Sequence, residues 1–128
     1  MAMANTDPDY VLNDRTKPGF IRVRVEIPNL KAKSRGFKKI IGGRKDQAQN
    51  ASITCDFEER SFSLTVTGNE KLAGKMWTLA KQNLVFAINK DSSHWEIEDG
   101  FVNIFLKKGS NDDNWEPYLR NMQLEMNE

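Results

Sequence analysis

One cysteine and one histidine make up the soft-ligand and strong-nucleophile inventory of this 128-residue chain. Cys55 sits between Ile53 and Phe57 on the inward parity of an alternating run, which reads as a buried structural thiol rather than a reactive one. His94 opens another alternating run beside Ser92 and Ser93, with no Gly-x-Ser-x-Gly elbow around either serine, and reads as an exposed histidine at a strand edge. Glu58, Glu59, Glu96, Glu98 and Asp99 could supply a carboxylate pair for acid/base work, but strand parity turns Glu96 and Glu98 to solvent. A single cysteine forms no internal disulfide, and no four-ligand zinc set can be assembled. There is no Walker loop, no Gly-x-Gly-x-x-Gly and no Asp-x-Asp calcium loop. The expectation is a chain that is not an enzyme and needs no cofactor or metal.

Binding chemistry is the remaining option, and charge placement decides where to look for it. Lys and Arg total 19 against 18 Asp and Glu, a net charge of +1. Lys31 to Lys45 nevertheless holds Lys31, Lys33, Arg35, Lys38, Lys39, Arg44 and Lys45 with no acid, whereas Asn111 to Glu128 holds five acids against Arg120 alone. The segment Arg35-Gly-Phe-Lys-Lys-Ile interleaves an aromatic ring with cations that could meet phosphates. It matches only the first three residues of an RNA-recognition strand signature and lies outside any strand alternation, so nucleic-acid binding through this loop is the weaker reading. The plainer one is a solvated insertion over 31–50, with Phe37, Ile40 and Ile41 folding back on the domain.

The elements that would position these residues are strands. Ile21, Val23, Val25 and Ile27 alternate with Arg22, Arg24 and Glu26, the pattern of a half-buried strand. Ser52 to Phe57 and Ser61 to Thr67 repeat it around Glu58-Glu59-Arg60, and Lys75 to Ala80, Leu84 to Asn89, His94 to Glu98 and Phe101 to Lys107 continue it. Trp77 and Trp95 fall on inward parity, and Tyr10 to Asp14 adds an edge strand. Asp99-Gly100 is the strongest hairpin signal of the set. With no amphipathic helix of useful length, the pattern predicts an all-β fold, a compact antiparallel β-sandwich. The reading assigns 1–9 to a flexible N-terminus, 10–119 to the domain and 120–128 to a frayed acidic tail. The opening residues lack a basic flank followed by an apolar stretch, and no run approaches the roughly 18 apolar residues of a membrane helix, which places the chain in the cytosol or nucleus and off the membrane.

Particular runs carry a family resemblance over roughly Tyr10 to Leu119. Phe57-Glu-Glu-Arg-Ser-Phe-Ser-Leu-Thr-Val66 with Leu72-Ala-Gly-Lys-Met-Trp77 resembles the middle domain of calcyclin-binding protein. Asp91-Ser-Ser-His-Trp-Glu-Ile-Glu-Asp-Gly100, then Val102-Asn-Ile-Phe-Leu-Lys-Lys108 and Trp115, resembles the nuclear movement protein C family. Both belong to the CS-domain superfamily with the small acidic co-chaperone of heat-shock protein 90. The chain departs from the pattern in the 31–50 insertion and in the three residues between Trp115 and Leu119, where the family has two.

The resemblance implies a seven-stranded, immunoglobulin-like sandwich acting without catalysis. As partners it implies heat-shock protein 90 or its clients, or, as a nuclear-movement-type scaffold, dynein-pathway or ubiquitin-ligase components. Members of the family use cations near the end of the last strand, a position matched here by Lys107 and Lys108. Parity adds Arg22 and Arg24, with Tyr10 as a neighbour, and Phe105 as an outward aromatic that is either a contact or covered by the tail through Trp115 or Tyr118, the cations then merely solvating the sheet. Arg22, Arg24, Phe105, Lys107, Lys108 and Tyr10 are therefore the expected contact patch.

Overall fold

The computed structural model describes residues 4–33 and 47–126. Eight strands are present among them: β1 (Ala4–Thr6), β2 (Tyr10–Asn13), β3 (Phe20–Glu26), β4 (Ala51–Glu58), β5 (Ser61–Gly68), β6 (Lys75–Lys81), β7 (His94–Glu98) and β8 (Phe101–Lys107). A short helix, α1 (Glu116–Arg120), follows. The strands form two four-stranded sheets, in the orders β1-β6-β5-β4 and β2-β3-β8-β7. Their inward residues meet in one apolar core: Ile21, Val23 and Val25 of β3 and Val102, Ile104 and Leu106 of β8 from one sheet, Phe62, Leu64 and Val66 of β5 and Trp77 and Leu79 of β6 from the other. The expected all-β, two-sheet architecture is present, with eight strands rather than seven.

Alternation sets this arrangement. A strand exchanges faces at every residue, so the run from Ile21 to Ile27 buries one set of side chains and leaves Arg22, Arg24 and Glu26 on the other side. Turn chemistry sets the pairing. Gly100 adopts φ 86° between β7 and β8, a conformation that costs glycine nothing, and aligns His94 with Phe105 through Glu98 with Phe101.

Four expectations change. The first nine residues, read as flexible, contribute β1, which pairs parallel to β6 with Ala4 opposite Lys75; buried Pro8 then carries the chain over to the second sheet. This one parallel pair sits among otherwise antiparallel strands. Leu84 to Asn89 is not a strand, because its backbone serves several elements instead of one ladder. The amides of Leu84, Val85, Ile88 and Asn89 donate to the carbonyls of Arg60, Leu124, Glu59 and Lys107 respectively. The Arg60 guanidinium clamps the same stretch through the Leu84 carbonyl at 2.6 Å. Leu84, Val85 and Ile88 are buried, whereas Phe86, given the inward role by alternation, is half-buried against Trp115.

The tail is docked rather than frayed. Trp115, Leu119 and Leu124 belong to the core, and Glu125 bridges to Leu84. At the surface of α1, the Arg120 guanidinium binds both oxygens of Glu116 at 2.6 Å and holds that carboxyl below its ordinary range. Trp95 is half-buried against the core, not enclosed in it. Ala32 and Ala48 bridge across the base of the 31–50 insertion, and Arg35, Phe37, Lys38, Lys39, Ile40, Ile41, Arg44 and Lys45 lie outside the described residues. No helix among the described residues is long and apolar enough to cross a membrane.

Because Leu124 is only 2% exposed, Leu124→Ala is expected to cost about 2 to 5 kcal/mol, and Trp77→Ala about 3 to 5 kcal/mol, in urea denaturation. An unchanged midpoint in Leu124→Ala would show that the tail does not close the core.

Candidate protein-binding face

The second sheet turns its inward residues to the core and leaves an outer face built from three cross-strand rows and a flanking pair. Asn13, Arg22, Phe105 and His94 are aligned in one row, and Val11, Arg24, Asn103 and Glu96 in the next. Glu26, Phe101 and Glu98 form the third, and Phe20 stands opposite Lys107 at the other end. Residues far apart in the chain thus become neighbours at cross-strand spacing, about 4.5 to 5.5 Å between Cβ atoms.

The chemistry of this face is cationic and aromatic. Lys17, from the β2–β3 loop, places its ammonium 4.3 Å from the Phe105 ring centre and 5.4 Å from that of Phe20. Lys107 lies 5.3 Å from the Phe20 ring, and the Arg24 guanidinium 3.9 Å from the Phe101 ring. Glu96 accepts from Lys17 at 3.1 Å, and Arg24 pairs with Glu98 at 3.3 Å. Asn103, beneath them, donates to Glu98 at 2.8 Å. The Nε of Arg22 and that of Arg24 are shielded from solvent, and neither has an acceptor among the described residues. Val11, 57% exposed, supplies an apolar rim beside Arg24.

Of the six residues expected in the patch, Arg22, Arg24 and Lys107 share this face. Phe105 shares it but is not exposed. At 4% it is covered by the stacked His94 ring, 5.2 Å away at 23°, and by the edge of Phe20. The cover comes from the sheet itself and from Lys17. Tyr10 is opposite Val25 and packs toward the core, where the Lys81 ammonium lies 5.4 Å from its ring, so it is no neighbour of the patch. Lys108 follows Lys107 at the opposite parity and bridges to Ile88.

Lys17, Phe20, Phe101 and His94 are the residues that sequence reasoning left out. The outward parity of Phe20 and Phe101 was legible in the alternation, but Lys17 is in a loop and only the fold brings it over Phe105.

The other chemistry-bearing residues take structural places. Cys55 is buried, and its thiol is pushed up from 9.0 to about 12, first by desolvation and then by the charge of Asp56. His94 is half-buried rather than free at the edge: Nε2 faces the Lys17 ammonium at 3.1 Å and Glu96 at 3.5 Å, and Nδ1 lies 3.2 Å from the Ser92 carbonyl. Among the described residues no group of three or more His, Cys, Asp or Glu is placed to hold a metal ion. Among known proteins, no family model matches this chain, and no curated protein does.

Two outcomes are expected. Phe105→Ala should lower folding stability by about 3 kcal/mol or more in chemical denaturation, so a loss of binding in that variant would not by itself report a contact. Cys55 should resist a thiol reagent at neutral to mildly alkaline pH until the protein is unfolded, because the native thiol keeps its proton up to about pH 12. The thiol favours the native state below the unfolded value of 9.0, and this contribution is lost as pH rises through the window to about 12. Rapid native labelling would contradict the burial.

Proposed function

We propose that this chain is a non-catalytic protein-binding module of the CS-domain kind. In this reading it is a co-chaperone or client adaptor, of the cytosol or nucleus, that meets heat-shock protein 90 or a client through the outer face of its second sheet. The observation that carries the reading is the pair Arg22 and Arg24 on one outer face, Arg22 aligned with Phe105 and the Arg24 guanidinium 3.9 Å from the Phe101 ring centre. An arginine on such a face offers a partner's carboxylate a charge-assisted, two-pronged hydrogen bond. Arginines and aromatic rings are also the side chains that most often anchor protein interfaces.

The resemblance supports the same face. The runs from Asp91 to Gly100 and from Val102 to Lys108 that look like a CS domain occupy β7 and β8, the strands that carry Glu96, Glu98, Phe105 and Lys107. A compact folded domain whose polar groups pair with one another, beside an inert buried thiol, suits recognition better than turnover.

Calorimetric titration of heat-shock protein 90, with and without a non-hydrolysable ATP analogue, tests the reading. Binding is expected, and Arg22→Gln, which breaks no ion pair among the described residues, should weaken it by about thirtyfold, in keeping with an anchor worth about 2 kcal/mol. Raising salt should weaken it moderately. Wild-type affinity in the folded Arg22→Gln variant would remove this face, and no binding at high micromolar chaperone would remove the chaperone as partner.

A further inference from the structure

Away from that face, at one end of the first sheet, a cavity of about 470 Å³ opens between four segments. Asn29 and Lys31 leave β3, Gln49 and Asn50 lead into β4, Glu70 to Leu72 turn between β5 and β6, and Lys75 begins β6. Its walls are tied together from within. The Asn50 side chain, on a residue 8% exposed, accepts from the Lys31 amide at 2.9 Å and donates to the Asn29 carbonyl at 2.9 Å. The Asn50 carbonyl accepts from the Asn69 amide at 2.9 Å, which joins the third segment to the other two. Leu72 closes the floor, so tightly against β5 that a Cβ at Gly68 would collide with the Leu72 carbonyl. Asn29 and Glu70 hold φ values of 68° and 53°, conformations that side-chain-bearing residues adopt at a cost and that concentrate at ligand sites.

The charge of this cavity is not balanced. Lys31, Lys71 and Lys75 line it against the single acid Glu70, and none of the three ammonium groups is ion-paired among the described residues. A concave wall with one sign of charge concentrates counter-ions, and lysine binds phosphate as a point charge from any direction. The lining also specifies what accompanies the phosphates. Among the described residues it contains no aromatic ring on which a base could stack, which disfavours nucleotides and single-stranded nucleic acid. It does contain the Glu70 carboxylate and the Gln49 amide, acceptors suited to hydroxyl groups. The volume lies within the roughly 300 to 1,000 Å³ of small-molecule sites.

We infer that this cavity binds a compact polyol bearing two or more phosphates, an inositol phosphate in chemical class, with the phosphates on Lys31, Lys71 and Lys75 and the free hydroxyls on Glu70 and Gln49. The same headgroup exists free and on a lipid, and the two sources separate by experiment. The full chain is titrated by calorimetry with inositol trisphosphate, with inorganic phosphate and ATP as comparisons at equal ionic strength. It is also sedimented with phosphatidylcholine vesicles with and without phosphatidylinositol bisphosphate. Saturable binding of inositol trisphosphate is expected at micromolar to sub-millimolar concentration, tighter than either comparison. Lys71→Gln with Lys75→Gln should weaken it by about tenfold or more with an unchanged thermal midpoint. Lys38→Gln with Lys39→Gln, in the basic loop, should leave it intact. Sedimentation with the bisphosphate vesicles assigns the lipid headgroup, and soluble binding alone assigns the free ligand. No saturation at about 1 mM ligand, equal binding of ATP, or loss in the Lys38 and Lys39 variant instead of the Lys71 and Lys75 variant would overturn the inference.

Discussion

Strand β8 is packed on both sides, and most of the molecule is arranged to allow it. Residues Val102 to Leu106 are buried without a break, with Val102, Ile104 and Leu106 against the core and Asn103 and Phe105 beneath the outer side chains of their own sheet. A strand covered on one face by a second sheet is ordinary, but cover on the outer face has to come from long side chains on neighbouring strands. Arg24, His94 and Lys17 provide it by laying apolar stems and flat groups over the rings, while the charges of Arg24 and Lys17 stay near water. The outer face is therefore both the lid of β8 and the surface offered to a partner. Its cations are held in place by what they cover.

This double duty separates the two groups of charges on the molecule. On the outer face Lys17, Arg24 and Lys107 each have a ring or a carboxylate within reach, so their positions are fixed before a partner arrives and little side-chain freedom is left to lose on binding. Around the cavity at the end of the first sheet the lysines have no acid pair among the described residues, and order resides in the backbone and in Asn50 instead. The first arrangement favours a surface that recognises shape, and the second favours one that responds to charge.

Much of the architecture was legible in the sequence, because burial in a strand obeys a period of two that can be read without any partner. Ile21 to Ile27, Phe62 to Val66 and Val102 to Leu106 announced their inward residues, and Asp99-Gly100 announced the turn joining β7 to β8. Parity tells which side a residue takes, but not what lies over it. Phe105 was legible as an outer residue, but the groups that cover it were not, since His94 and Lys17 reach it from 11 and 88 positions away. Tyr10 was misplaced because a short edge strand gives too few alternations to fix its phase. Leu84 to Asn89 and the tail deceived for a related reason. Their hydrogen bonds go to Arg60, Glu59 and to each other, and such scattered partners leave no periodic trace.

The three residues of β1 do something for the molecule that their length does not suggest. They lie along the outer side of β6, so a row of amides and carbonyls that would otherwise border open solvent is already engaged over Lys75, Met76 and Trp77. An unguarded strand at that position is a template on which another chain can grow, the usual start of edge-to-edge aggregation and of swapped dimers. The protection of that edge thus rests on three residue pairs, while the other end of the described chain is anchored separately through the buried Leu124.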